Sequence, residues 1–254
     1  MSKIVTVIQA RLGSTRLPSK VLADLCGEPM LWHIIERVKR ATKIGDLILA
    51  VPPRDVLALE PIASRCGIEI MAPAVPENDL VARFHAVASA TQADYVVRIC
   101  ADNPCVEPEE IDRIIEASQE RMEYGAWSNV HELPFHCGTC GDTVIQVRSS
   151  YPDGLGAEVY AVGCLRYLND HVEEEGLREH PHRYWEENGL MQTIPCPPAF
   201  ARPEIRLDVN TAEDLRFIRG IYEALYPTKP NFHITDILAL LDARTESEHE
   251  KSVV

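Results

Sequence analysis

Short β-rich runs alternate with helical patterns through the first 118 residues, and this alternation limits the possible folds more than any other feature of the chain. "KIVTVIQA" (3–10) reads as a buried strand. Pro29 then opens a segment in which Met30, Leu31, Ile34, Ile35 and Val38 recur at helical spacing. "LILAV" (47–51) reads as a second strand, followed by a helix around Val56–Arg65, a strand "IEIM" (68–71), a helix around Leu80–Ala90 and a strand "YVVRI" (95–99). Strands separated by helices need crossover connections, which points to the α/β class with a mostly parallel sheet. Ligands bind such open sheets at the carboxyl ends of the strands. The loop after the first strand and the segment after Ile99 are therefore expected to face one crevice.

From Glu120 to Pro198 the rhythm breaks into turn-rich and aromatic segments such as "HCGTCGD" and "YPDGLG", so residues 120–200 are expected to form a smaller substrate or dimerisation lobe. Alternation resumes with "EIRLDV" as a strand. Thr211 and Asp214 then form a capping-box pattern for a helix running towards Tyr226. A last helix near Ile234–Ala243 precedes "RTESEHEKSVV", expected to be a flexible tail over 244–254. With 254 residues the chain has room for a single domain over 1–243 with one full core, and little room for two equal domains.

With 46% apolar and 25% charged residues the composition is that of an ordinary globular protein. A formal net charge of -14 argues against an extended nucleic-acid-binding face, which would gather Lys and Arg. The apolar run Ile4–Ile8 is too short for a signal peptide, and no run approaches the roughly 18–20 apolar residues of a membrane span. A cytoplasmic protein with no membrane partner is expected. The eight cysteines are scattered along the chain and read as reduced thiols. Against the acidic background, residues 1–23 carry Lys3, Arg11, Arg16 and Lys20 and no carboxylate, the pattern of a concentrated anion site.

Three segments carry chemistry. In "IQARLGSTRLPSK" (8–20), Gly13 and the neighbouring small residues let backbone N–H groups approach a phosphate chain, while Arg11 and Lys20 supply charge that persists at neutral pH. The loop has neither the P-loop pattern nor the dinucleotide G-x-G-x-x-G. "VVRICADNP" (96–104) ends a strand on Asp102, where one carboxylate facing a phosphate loop suits Mg²⁺; the plainer reading is an Asp that caps a turn. In "RLDVNTAEDL" (206–215) residues 208 and 210 of a strand share a face, so Asp208 and Asn210 could meet one metal ion, the Asn through its uncharged carbonyl.

"IQARLGSTRLPSKVL" resembles the N-terminal signature of the cytidylyltransferases that make CMP-activated sugar acids, the CMP-Kdo and CMP-acylneuraminate synthetase group, and most closely the SpsF-like members. The resemblance implies a Rossmann-like nucleotidyltransferase (GT-A-like) fold in which this loop wraps the CTP triphosphate. Arg11 and Lys20 would then meet phosphate oxygens, with the backbone of Ala10, Leu12, Gly13 and Ser14 on base and phosphates and Arg16 in support. The family's Gly-Asp pair, followed two residues later by Pro, places Asp102 on its metal-binding Asp, with Ala101 in place of Gly. "RLDVNTAEDL" resembles its D-x-D-T-x-E-D-[LF] segment, with Asn210 in place of the second acid. "ENDLVARF" (77–84) resembles a segment whose Arg lies near the base, which nominates Arg83. "YPDGLGAEVY" and "LREHPHRYW" resemble SpsF-type segments and make Asp153, Glu158, Arg178, Glu179 and His180 candidates to hold the acceptor.

The resemblance implies transfer of CMP from CTP to an acidic sugar or related acceptor with release of pyrophosphate. Arg11, Lys20, Asp102 and Asp208 would be the catalytic set, Mg²⁺ would sit on Asp102, Asp208 and Asn210, and a homodimer would be the usual assembly. Another nucleotide or a phosphonate, polyol or amino-acid acceptor is the nearest alternative. A nucleotide-binding protein without activity would draw support from Ala101 and Asn210, and a sugar-transferring enzyme of related fold is a further rival. The stretch from Leu133 to Ser150 looks inserted relative to the family pattern. Its Cys137 and Cys140, with His131 and His136, read either as a zinc site or as a hairpin turn on "GTCGD".

Overall fold

The computed structural model describes residues 2–120, 126–128, 133–136, 144–147 and 150–252. The first half of the chain contains β1 (Ile4–Gln9), the short pair β2 (Asp24–Leu25) and β3 (Glu28–Pro29), α1 (Met30–Val38), β4 (Asp46–Ala50), α2 (Val56–Cys66), β5 (Glu69–Met71), α3 (Leu80–Thr91), β6 (Tyr95–Cys100) and α4 (Pro108–Glu120). The second half contains β7 (Ala126–Ser128), β8 (Leu133–His136), β9 (Val144–Val147), β10 (Glu158–Ala161), α5 (Val162–His171), α6 (Glu175–Glu179), α7 (Pro181–Glu187), β11 (Met191–Thr193), α8 (Ala212–Leu225) and α9 (Ile234–Ser252).

One seven-stranded sheet, in the order β11-β7-β10-β6-β1-β4-β5, organises the molecule. β1 lies between β4 and β6 and runs parallel to both. Covered on both faces, it reads as a near-continuous apolar run without polar alternation. Its side chains still divide by face. Ile4 and Ile8 join one core with residues of α1, α2, α4, α8 and α9, while Val5 and Val7 join a second core with α3, α5 and Trp185. The alternation of strands and helices thus produces a three-layer α/β/α arrangement.

Three of the five described strands in the region 120–200 join the main sheet. β10 pairs antiparallel to β6, β7 pairs antiparallel to β10, and β11 pairs parallel to β7, so this region extends the main sheet. β8 and β9 form a separate antiparallel pair, with His136 opposite Val144. Those two strands flank "GTCGD". Cys137, Cys140 and His131, and with them the zinc reading, lie outside the described residues.

Two expected elements differ. "EIRLDV" is no strand: its contact with a neighbouring strand-like segment is an isolated parallel bridge between Arg206 and Asp153. The Asp153 N–H donates to the Ile205 carbonyl (3.0 Å), the Leu207 N–H to the Asp153 carbonyl (2.8 Å) and the Val209 N–H to the Asp102 carbonyl (2.8 Å). The partners are two loops, so no ladder forms. Ile205, Leu207 and Val209 nonetheless point into the core, as the alternation requires. The last helix also continues past Ala243 as far as Ser252. No Gly or Pro interrupts 234–252, and Arg244 of α9 donates to the Gly220 carbonyl of α8 at 3.0 Å.

Buried polar groups tie the helices on one face together. Arg37 of α1 donates to the carbonyls of Val106 (2.9 Å) and Phe232 (3.1 Å). Its neighbour Glu107, fully buried, accepts from the Ile234 N–H (2.8 Å) at the start of α9 and bonds His233 Nδ1 at 2.7 Å. In the same core His33 Nε2–H donates to the Leu25 carbonyl at 2.7 Å, with the ring packed edge-on against Tyr222 and Tyr226. Among the described residues no helix is long and apolar enough to cross a membrane.

Two consequences can be measured. Glu107→Ala leaves the Arg37 charge buried without its counter-ion, so urea titration is expected to show a loss of about 3–5 kcal/mol. Burial holds the His33 imidazole below its ordinary value, so the unfolded chain takes up a proton near pH 6.5 that the native state refuses. This stability is present above pH 6.5 and is lost as the pH falls below it, and His33→Phe is expected to flatten that part of the pH–Tm profile.

Candidate active site

Gln9 of β1 stands opposite Cys100 of β6, so the two parallel strands end side by side and open one crevice. The loop that leaves β1 is held by its own backbone: the N–H groups of Ser14 (2.9 Å) and Ser19 (3.0 Å) both donate to the Leu12 carbonyl. The Leu12 N–H donates in turn to Oδ2 of the buried Asp55 at 2.9 Å. A Cβ at Gly13 would fall 2.5 Å from Glu77 Oε1 and 2.8 Å from Arg54 Nη2, so the loop passes tightly against that ion pair.

Lys20 links the loop to the strand end. Its Nζ lies 3.0 Å from Asp102 Oδ2 and donates to the Val209 carbonyl at 2.6 Å. Arg16 Nη2 donates to Asn210 Oδ1 at 2.6 Å, and the Asn210 amide donates to Asp208, which is also paired with Arg206 at 3.0 Å. The helix that follows is fixed by the capping box of Thr211 and Asp214. Asp102, Asp208 and Asn210 thus present the oxygen donors a hard divalent cation takes, two charged and one neutral. Each of them already has a basic or amide partner from the chain.

The crevice is lined by Gln9, Ala10, Arg11, Ser14, Thr15, Arg16, Lys20, Arg83, Arg98, Cys100, Asp102, Glu179, His180 and Asn210, among others. Arg11 reaches across it to Asn78 and to Glu179, the latter at 3.2 Å. Arg83 is almost wholly buried and donates to the Glu77 carbonyl at 3.0 Å. Burial holds the His180 imidazole below its ordinary value. Burial also pushes the Cys100 thiol up to about 12, which keeps it protonated at neutral pH and unsuited to act as a nucleophile.

A second cavity adjoins the first and shares Arg98 and Cys100 with it; Asn103, Asp153, Gly154, Glu158, His182 and Asp208 are among its other lining residues. Gly154 has φ +81, and a Cβ there would fall 2.5 Å from the backbone N of Asp208, so two chain segments touch at that point. Arg98, in the middle of β6, is opposite Glu158 of β10, and its Nη1 lies 2.7 Å from both carboxylate oxygens.

Of the residues nominated from sequence, Ala10, Arg11, Ser14, Arg16, Lys20, Arg83, Asp102, Glu179, His180 and Asn210 meet in the crevice. Asp153, Glu158 and Asp208 line the adjoining cavity. Leu12 and Gly13 shape the loop and line neither. Arg178 also lines neither, contrary to the expectation that it holds the acceptor: its guanidinium is spent on Asp79 (2.8 Å) and the carbonyls of Val172 (2.9 Å) and Asn169 (3.2 Å). It fastens α6 to the start of α3. Arg98, Cys100, Asn103 and His182 were not nominated. For Arg98 the signal was present, since a charge inside an apolar central strand is seldom buried without a partner.

Residues 5–149, more than half of the chain, match the family described as Cytidylyltransferase. The spore coat polysaccharide biosynthesis protein SpsF of Bacillus subtilis (strain 168) is 28% identical over 261 residues, covering 98% of this chain and 99% of that protein. A 3-deoxy-manno-octulosonate cytidylyltransferase of Trichlorobacter lovleyi is 34% identical over 114 residues, or 45% of this chain and 44% of that protein. Among solved structures, a cytidylyltransferase from Leptospira borgpetersenii superposes with a TM-score of 0.82 at 21% identity, covering 97% of this chain and 96% of that one. A CMP:2-keto-3-deoxy-manno-octonic acid synthetase complexed with CTP gives 0.67 at 21% identity, covering 88% and 99%. The two structures share the fold, and the family match extends from β1 through the phosphate loop and the Asp102 strand end: the chain belongs to the cytidylyltransferase family and is a CTP-dependent nucleotidyltransferase.

Proposed function

We propose that the chain transfers CMP from CTP to a hydroxyl of an acidic sugar or a closely related acceptor and releases pyrophosphate. The observation that carries this reading is the Lys20–Asp102 pair, a phosphate-loop cation against a strand-end carboxylate in a cleft that adjoins a second cavity. The cleft suits the triphosphate and the second cavity the acceptor. In this arrangement the acceptor oxygen attacks the α-phosphorus while the bond to the β-phosphate oxygen breaks on the opposite side. Arg11, Arg16 and Lys20 bind the phosphate chain and stabilise the charge that departs with pyrophosphate. Arg83 and the backbone from Ala10 to Ser14 hold the nucleoside end.

Catalysis is then positioning and electrostatics, with no covalent intermediate on the chain. The protonated Cys100 thiol agrees with that. Asp102, Asp208 and Asn210 would hold a divalent cation such as Mg²⁺, whose chemistry when bound is to neutralise charge on phosphate oxygens. The acidic acceptor draws its support from relatives named for 3-deoxy-manno-octulosonate. A second reading, an uncharged polyol acceptor, is favoured by the carboxylates of Asp153, Glu158 and Asp208 around the second cavity.

Thermal melts with CTP, UTP, ATP and GTP, each with and without Mg²⁺, test the nucleotide half. CTP at about 100 times its Kd is expected to add roughly 2.7 kcal/mol, more than the other nucleotides and more with Mg²⁺ than without. A shift selective for another base, or none, counts against the proposal. A pyrophosphate-release screen of sugar acids and polyols then separates the two acceptor readings. Asp102→Asn is expected to lower kcat on the order of a hundredfold with a much smaller change in CTP affinity, and wild-type turnover in that variant would remove Asp102 from the mechanism.

A further inference from the structure

Buried polar atoms without a hydrogen-bond partner are uncommon, because each has given up its bond to water. Gln9 Oε1, Arg83 Nε and Arg98 Nε are such atoms here, and all three side chains line the nucleotide cleft. Arg98 alone of the three also lines the adjoining cavity. It stands where the two compartments meet.

The ion pair that Arg98 makes is lopsided. A guanidinium and a carboxylate commonly meet fork to fork, through two nitrogens. Here both Glu158 oxygens lie 2.7 Å from the single Nη1. The Tyr160 hydroxyl donates to Glu158 Oε2, and His182 Nδ1 lies 3.3 Å from the same Nη1, so one end of the guanidinium is fixed in place. The Nε end has no acceptor from the protein. Arginine does not shed its proton to relieve this, so the Nε–H is left to an acceptor from outside the chain.

We propose that Arg98 is an oxyanion-binding residue at the junction of the two cavities, its Nε edge taking an oxygen of the nucleotide α-phosphate or of an acid group on the acceptor. Both ligands offer the same chemistry, and both end at this junction if the reaction is the one proposed above, on which the inference rests for the identity of its ligand. Glu158 and Tyr160 are positioning residues. They hold the guanidinium so that its open edge, rather than its paired end, meets the ligand.

Calorimetric titration of the wild type and of Arg98→Lys tests this, with CMP and cytidine as probes and, on the CMP-saturated proteins, 3-deoxy-manno-octulosonate and gluconate. Lysine keeps a positive charge for Glu158 and lacks the Nε edge. If the α-phosphate is the ligand, the wild type binds CMP at least about tenfold more tightly than cytidine, and Arg98→Lys erases that preference without altering cytidine binding. If the acceptor's acid group is the ligand, CMP and cytidine bind both proteins alike and the sugar acids lose a similar factor in the variant. Equal behaviour of the two proteins towards every probe, including no binding of any, overturns the inference. Pyrophosphate release by the wild type is followed in parallel. An active enzyme indifferent to Arg98→Lys removes only this inference, whereas probe binding that depends on Arg98, without pyrophosphate release from any acceptor, removes only the proposed reaction. Should Arg98→Lys lose its cooperative melt, the double variant Arg98→Gln, Glu158→Gln replaces the ion pair by two amides and takes the same titrations with the same expectations.

Discussion

One ammonium group holds three distant parts of the chain in register. Lys20 Nζ sits between Asp102 Oδ2 and the Val209 carbonyl, residues 82 and 189 positions away in sequence. Through it the loop after β1, the end of β6 and the extended segment before α8 become one surface. The contact is mostly shielded from water, so solvent screens it weakly. Arg16 repeats the same link one residue further along, to Asn210. The geometry of the crevice therefore depends on charge pairs made across it, and the strands beneath supply the rigid base.

This bears on how an anionic nucleotide meets an acidic protein. The net charge of -14 repels a triphosphate, but beyond about 8 Å that field is largely screened at physiological ionic strength. Inside the cleft Arg11, Arg16 and Lys20 dominate. In the described structure each of them is already paired, with Glu179, Asn210 and Asp102 respectively. Under the proposed function phosphates would compete with side chains that hold the loop, and binding would exchange one set of polar contacts for another.

The parts of the fold that were readable in the sequence are those where one physical demand dominates. β1, β4 and β6 are buried on both faces and appear as apolar runs, and the helix over Ala212–Leu225 announces itself by its capping box. "EIRLDV" shows the limit of such reading. Its alternation is real, with Ile205, Leu207 and Val209 in the core, but periodicity carries no information about whether a neighbouring backbone is there to pair with. β7, β10 and β11 have three or four residues each, too few for any period to show, so their addition to the main sheet was hidden. In the site, the contrast between a basic, carboxylate-free loop and the acidic remainder exposed Arg11, Arg16 and Lys20. Sequence proximity of Arg178 to Glu179 and His180 says nothing of direction: both neighbours line the cleft, while Arg178 points away to Asp79. Arg98 lies inside an apolar strand, where periodicity marks a buried position but not which cavity its side chain borders.

Where Gly154 meets Asp208, main chain rests on main chain with no side chain between. Most pocket walls are made of rotamers, and an enzyme lineage can widen or narrow them by exchanging one residue for another. At Gly154 that route is closed: any larger residue collides with the peptide group between 207 and 208. The second cavity thus cannot be reshaped by a side chain at that position. Selection for a larger or smaller partner molecule would have to act on its other walls, or by changing loop length.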